Sequence, residues 1–215
     1  MWGGLMAGLR EKQKKEKEFR IIKASITLFT SKGFTETTME EIAEKSEVGV
    51  GTLYNYVKSK GDLLLLILTD KTDDLYIEAE KIIENPGSDV VDTLVELLKI
   101  YLQGLFLSMP QHLIKDFFSV IFSQQYDESN FGKLIKLDYK LMNQVTALLN
   151  VYIEKGLIDS SVNIEILSFN LYSIVIMQFM GALMQEPIPL EMLTEVMRAQ
   201  IMLIYNGFKP VIEED

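Results

Sequence analysis

The chain has 215 residues, 48% of them hydrophobic, with a net charge of −10, no cysteine and a single histidine, His112. That length accommodates one large domain or two small ones around a substantial core. The lack of cysteine excludes disulfides and thiolate metal sites and fits a reducing cytoplasm, and one histidine argues against most zinc sites and most histidine acid–base catalysis.

Taken in chain order, Met1–Gly8 lacks the pattern of a secretory signal, because its charged run follows the short apolar stretch instead of preceding it. Residues 14–32 read as a first helix, with Ile21, Ile22, Ser25, Leu28 and Phe29 at helical spacing and Gly33 as its stop. Thr38-Met39-Glu40-Glu41 has the form of a capping box, and opens a short helix to about Lys45. A third short helix spans Val50–Val57. Ser59-Lys60-Gly61-Asp62 is a second cap, with Asp in place of Glu, before a long helix to about Ile83. Asn85-Pro86-Gly87-Ser88 is the clearest break. Beyond it, helices are expected at about 89–108, 110–123, 131–155, 163–185 and 189–206. No stretch alternates as an amphipathic strand does, so the expected fold is all-α with about nine helices.

The charge is unevenly placed. Residues 1–60 carry 11 basic and 8 acidic side chains, and residues 61–215 carry 10 and 23. Only the N-terminal part, at net +3, is suited to face a polyanion, while the remainder would repel one. The run Arg10–Lys17 holds five basic and two acidic residues. It reads either as a solvated arm or as one that follows DNA.

Residues Thr38–Val57 supply the parts of a helix-turn-helix, which needs two short helices joined steeply by a tight turn. Ile42 and small Ala43 face inward on the first helix, and Val48 follows the turn. On the second, Leu53 and Val57 lie one turn apart on the core side. At about 100° per residue, Gly51, Tyr54, Asn55 and Lys58 share the opposite face, flanked by Val50 and Thr52. Hydroxyl, amide and ammonium groups there suit phosphates and base edges. Gly51 has no side chain to hold the backbone away from a groove.

Phe29-Thr30-Ser31-Lys32-Gly33-Phe34, then Thr37-Thr38, Ile42-Ala43, Val48 and the run Gly51–Lys60 resemble the N-terminal DNA-binding domain of TetR-family repressors, over roughly residues 20–65. The resemblance implies nine helices, a homodimer and a variable ligand-binding domain. It also implies that Thr38, Tyr54, Tyr56 and Lys60 turn toward phosphates, and that Val50, Thr52 and Asn55 sit nearer bases. Two positions depart from the family's pattern. Glu47 stands where a turn glycine is usual, and a left-handed backbone there would cost a non-glycine residue about 1–2 kcal/mol. Gly49 stands where a serine or threonine is frequent, so the recognition helix lacks a side-chain cap.

The expected organisation is residues 1–61 as arm and DNA-binding domain and residues 62–215 as regulatory and dimerisation domain. The expected function is sequence-specific regulation of transcription by a cytoplasmic repressor that a small apolar ligand releases from its operator. Tyr54 and Tyr56, taken alone, could equally be packing aromatics. A helical adaptor binding protein instead of DNA is the competing reading, and the charge asymmetry speaks against it. Catalysis has little support: there is no phosphate-binding glycine loop, and a di-iron bundle would need Glu-x-x-His on two helices, whereas Met109 precedes His112 at that spacing. No cofactor or metal is expected.

The later helices are rich in Phe, Tyr and Met. Most of these belong in a core, and a subset suits an adaptable apolar pocket. The candidate effector residues are Phe106, His112, Phe117, Tyr126, Tyr139, Asn143, Tyr172 and Met177, with Gln144, Asn170 and Gln178 as further polar groups that could orient a ligand. The longest apolar stretch, Leu171–Met184, is shorter than the roughly 20 residues of a membrane span. The last two helices are apolar nearly all round, which points to burial on more than one side. The family resemblance makes them a four-helix dimer interface.

Overall fold

In the computed structural model, the described residues are 2–70, 72–108, 110–122, 128–184 and 189–207. Ten helices run along them: α1 (Trp2–Lys32), α2 (Met39–Lys45), α3 (Val50–Tyr54), α4 (Lys60–Thr69), α5 (Thr72–Glu84), α6 (Val90–Ser108), α7 (Gln111–Phe122), α8 (Glu128–Glu154), α9 (Ile164–Met184) and α10 (Leu190–Asn206). The all-α expectation holds, and the later helices fall close to their expected limits.

Three boundaries are corrected. First, α1 begins at Trp2, well before Lys14, because the charged run continues the helix. Second, α3 ends at Tyr54. The amides of Asn55 and Tyr56 then bond three residues back, to Thr52 and Leu53, so Asn55–Val57 form a turn. Third, the expected helix Asp62–Ile83 comprises two elements, α4 capped by Asp70 and α5 starting at Thr72.

The residues form two compact units. The first takes in Met1–Asp70 and Met109–Phe131, and the second Lys71–Ser108 and Gly132–Asp215. The boundary expected at 61/62 falls inside α4, which the first unit contains whole.

In the first unit, the buried side of α1 (Ile21, Ile22, Ser25, Phe29) meets Ile42 and Ala43 of α2, Leu53 of α3, and Leu63, Leu64 and Ile67 of α4 in one core. Gly33 ends α1 with φ +94, a left-handed backbone that glycine adopts without steric cost. The rings of Phe29 and Phe34 meet edge to face across that turn, centroids 5.2 Å apart. Helix α4 also packs on α7, closely enough that a Cβ on Gly61 would stand 2.8 Å from Val120 Cγ1.

In the second unit α6 is central, with α5, α9 and α10 against it. Val90, Leu94, Leu97, Leu98 and Leu102 are buried. Tyr152 of α8 is fully buried, and its hydroxyl donates to the Gly87 carbonyl at 2.8 Å, tying α8 to the Asn85–Ser88 break. Arg198 of α10 pairs with Asp92 of α6.

Candidate DNA-binding site

The site is built on two capped helix starts. At α2, the Thr38 hydroxyl accepts from the Glu41 amide at 3.2 Å, and the Glu41 carboxylate accepts from the Thr38 amide at 2.9 Å. Lys32 of α1 also donates to that carboxylate, and together with the Thr38 amide holds its pKa below the ordinary glutamate value. At α4, Ser59 and Asp62 form the same reciprocal pair, and Asp62 accepts from the Lys58 amide as well, at 2.7 Å. Both caps satisfy amides that helix starts leave unpaired. They fix the segment on either side of α3.

The turn between α2 and α3 carries the strain that the sequence suggests. Glu47 has φ +55 and is the only non-glycine residue with positive φ among those described. Its carboxylate accepts from Arg20 of α1 at 3.1 Å, a pairing that the sequence pattern gave no sign of. Gly49 caps α3 without a side-chain bond, as its identity dictates. The Val48 amide donates to Ala43 at 3.0 Å, closing the turn, while the Val48 side chain is half-buried instead of lying in the core.

From this frame, Leu53 and Val57 point into the core at 0% and 5% exposure. Val50, Gly51, Tyr54, Asn55 and Lys58 are exposed, and Thr52 and Tyr56 are half-buried. Nothing stands within 4 Å of where a Cβ on Gly51 would lie, so the backbone is open on that side. The calculated face is therefore the observed one, even though α3 is shorter than expected.

Tyr56 and Lys60 each have a partner within the protein. The Tyr56 hydroxyl donates to the Lys14 carbonyl at 3.3 Å, and burial, then the charge of Glu18, raises its pKa. The Lys60 ammonium donates to the carbonyls of Phe34 and Thr35 at 2.8 and 2.7 Å and lies 5.0 Å from the centroid of the Phe34 ring. An ammonium has three donors, so one remains available beyond the two carbonyls.

The candidate effector residues are not gathered in one place. His112 and Phe117 lie on α7 in the first unit, His112 exposed and Phe117 buried against the ring of Phe118. In the second unit, Phe106 is half-buried and packs edge to face on Phe179, centroids 5.3 Å apart. Tyr172 is half-buried beside Asp138, and its pKa is raised by burial first and by that carboxylate second. Tyr139, Asn143 and Met177 are exposed. Tyr126 lies outside the described residues. An open groove of about 470 Å³ runs between α5 and α6, lined by Glu78, Lys81, Glu96 and Lys99 among others, and contains none of these candidates. No cluster of three or more metal-ligating side chains occurs among the described residues.

Residues 21–67 match the family model described as bacterial regulatory proteins, tetR family. That segment is similar in sequence to TetR-family transcriptional regulators, and over most of its length the chain shares the fold of solved structures of that family. It is 52% identical over 50 residues to the uncharacterized HTH-type transcriptional regulator YerO of Bacillus subtilis (strain 168), covering 23% of this chain and 17% of that protein. The chain thus spans only about a fifth of the length of the first curated relatives it matches, 17% and 21%. Its fold is similar to that of a transcriptional regulator of the TetR/AcrR family from Thermobifida fusca YX-ER1, with TM-score 0.65 and 19% identity over 88% of this chain and 97% of that one. It is also similar to the Thermus thermophilus FadR, a TetR-family repressor in complex with lauroyl-CoA, with TM-score 0.62 and 20% identity over 92% and 97%.

Proposed function

We propose that the protein is a sequence-specific, DNA-binding transcriptional repressor that works as a cytoplasmic homodimer and leaves its operator when a small apolar ligand binds. The observation that carries the DNA reading is the exposed face of Val50, Gly51, Tyr54 and Asn55 on a short helix held between two capping boxes. Side chains on a rigid element keep the positions that base readout needs, and an asparagine amide can bond adenine at two points. In this reading Thr38, Tyr54, Tyr56 and the third donor of Lys60 meet phosphates, and Val50, Thr52 and Asn55 meet base edges. Residues 1–61 carry DNA contact, with α4 and α7 completing their core, and the rest carries regulation and dimerisation.

The dimer reading rests on α9 and α10. Ile166, Phe169 and Met177 of α9 are 60%, 54% and 67% exposed, and their spacing puts them on one stripe. Met192, Val196 and Leu203 of α10 make a second stripe, with Leu203 75% exposed. Gln178 donates to Gln200 at 2.9 Å and holds the two helices side by side. The segment Ile164–Ala182 is long and apolar enough to cross a membrane, with mean hydropathy 1.4. Apolar stripes on two adjacent helices fit a self-complementary protein interface better.

The ligand reading rests on the aromatic and methionine content of the second unit and on the ligand-bound relative. A ligand shifts DNA affinity only by binding the competent and incompetent dimers differently. Acyl-CoA thioesters are the first ligands to screen.

The test of the central claim is selection of bound duplexes from a random library by the wild-type protein and by Asn55→Ala. The wild type should enrich a pseudo-palindrome, and Asn55→Ala should lose about 1–3 kcal/mol of discrimination at one position in each half-site. An identical motif from both proteins would remove Asn55 from base readout. No motif from the wild type would remove the sequence-specific reading.

A further inference from the structure

Residues 8–17 of α1 are all exposed, and the helix begins to pack only at Glu18 and Arg20. Ten helical residues rise about 15 Å, so α1 runs on by about that distance past its packed part. At 100° per residue, Arg10, Lys14 and Lys17 fall on the line that continues through Ile21 and Ser25, the side α1 turns to the core. The stripe that is buried next to α2 and α4 therefore becomes basic where the core stops. Its direction is fixed by the Tyr56 hydroxyl, which bonds the Lys14 carbonyl and sets this stretch of α1 beside the end of the recognition segment. None of the three cations is in an ion pair among the described residues.

We infer that Arg10, Lys14 and Lys17 form a second DNA-binding surface, one that grips the phosphate backbone flanking the base pairs read by α3. The inference rests on the DNA-binding reading above. It commits to duplex DNA because the stripe is continuous with the recognition face through Tyr56, and because the charge is confined to this end of an otherwise acidic chain. Arg10 and Lys17 are separated by about 10 Å along the helix, close to three steps of 3.4 Å along one DNA strand. The grip would be independent of sequence, adding affinity and salt dependence without changing the motif.

The control is built into the same helix. Lys12, Lys15 and Lys23 are also exposed but lie on the other side of α1, so two triple variants remove the same charge from opposite faces. The experiment measures binding of a fluorescently labelled mixed-sequence duplex, about four helical turns long, by anisotropy from about 50 to 200 mM salt. R10Q/K14Q/K17Q should lower the salt slope by about 0.9 for each phosphate no longer neutralised, or about 2.7 for each engaged protomer. Over that fourfold salt range the wild type should then lose about 40-fold more affinity than the variant. K12Q/K15Q/K23Q should stay near the wild-type slope. Equal changes in both triples would overturn the inference in favour of a general charge effect, and so would no change in the first. If the first triple fails to retain its helical circular dichroism, R10Q/K17Q decides in its place, with an expected slope change of about 1.8. A wild type that binds no duplex at the lowest salt would remove the underlying DNA reading together with the stripe. Wild-type binding with an unaltered slope in the variant would remove the stripe alone.

Discussion

Lys60 separates two roles that a single substitution would confuse. Its ammonium closes the turn after α1 through the Phe34 and Thr35 carbonyls, and its third donor is the one available to a phosphate. Lys60→Ala removes both. Two charge-assisted hydrogen bonds at a partly exposed site are together worth about 1–2 kcal/mol. For a chain of this size each kcal/mol moves the melting temperature by about 2–4 °C, so a fall of about 2–8 °C is expected. Neutralising one phosphate fewer per protomer lowers the salt slope by about 0.9, or about 1.8 for a dimer. Between about 50 and 200 mM salt that is about a 12-fold difference in affinity. Thermal melting reads the first effect and anisotropy titrations on labelled duplex read the second. Lys60→Arg, which keeps the charge, should preserve most of the slope. An unchanged slope in Lys60→Ala refutes the phosphate role whatever the melting temperature does. An unchanged melting temperature refutes the structural one.

Two further outcomes follow from the turn and from the second unit. Glu47→Gly and Glu47→Ala both remove the Arg20 ion pair, so their difference isolates the left-handed backbone. Relief of about 1–2 kcal/mol, less about 0.4–1 kcal/mol from the freer unfolded glycine chain, should make Glu47→Gly melt about 0–6 °C above Glu47→Ala; a Glu47→Gly that melts about 1–4 °C below Glu47→Ala would show that the turn stores no strain. Phe169→Asp and Leu203→Asp, on the exposed stripes of α9 and α10, should convert a dimer at micromolar concentration to a folded monomer in sedimentation, and a variant that remains dimeric would place the interface elsewhere.

Local chemistry was the most legible part of the sequence. Thr38 with Glu41 and Ser59 with Asp62 name their caps outright, because the bonds close within four residues. The outward face of α3 followed from helical spacing alone, and the strain at Glu47 from one residue standing where glycine is usual. What escaped depends on partners far along the chain. Lys60 reaches back 26 residues to Phe34, and Tyr56 reaches 42 residues to Lys14. Nothing in the apolar run of α4 shows that it ends at Thr69, since no glycine or proline marks the place. That α7 belongs to the first unit is set by packing between Gly61 and Val120, which no local pattern encodes. The effector candidates were chosen by residue type on helices apolar on several sides, where type does not tell inward from outward; Tyr139 and Met177 are exposed while Phe117 is buried.

Gln144 shows what the interior of the second unit would accept. It is buried, and its amide donates to the Tyr76 carbonyl at 3.0 Å and the Glu80 carboxylate at 2.8 Å, while its oxygen accepts from the Tyr101 hydroxyl. One side chain of α8 thus bonds α5 twice and α6 once. A hydrocarbon wedged at that junction would leave these groups unpaired, at about 1–3 kcal/mol for each. A guest would trade bond for bond only if it offered acceptors to the amide and the tyrosine and donors to the Tyr76 carbonyl, the Glu80 carboxylate and the Gln144 oxygen. Parting this junction would thus cost about 1–3 kcal/mol for every group left without a partner, so any guest admitted there would have to match it by functional group as well as by shape.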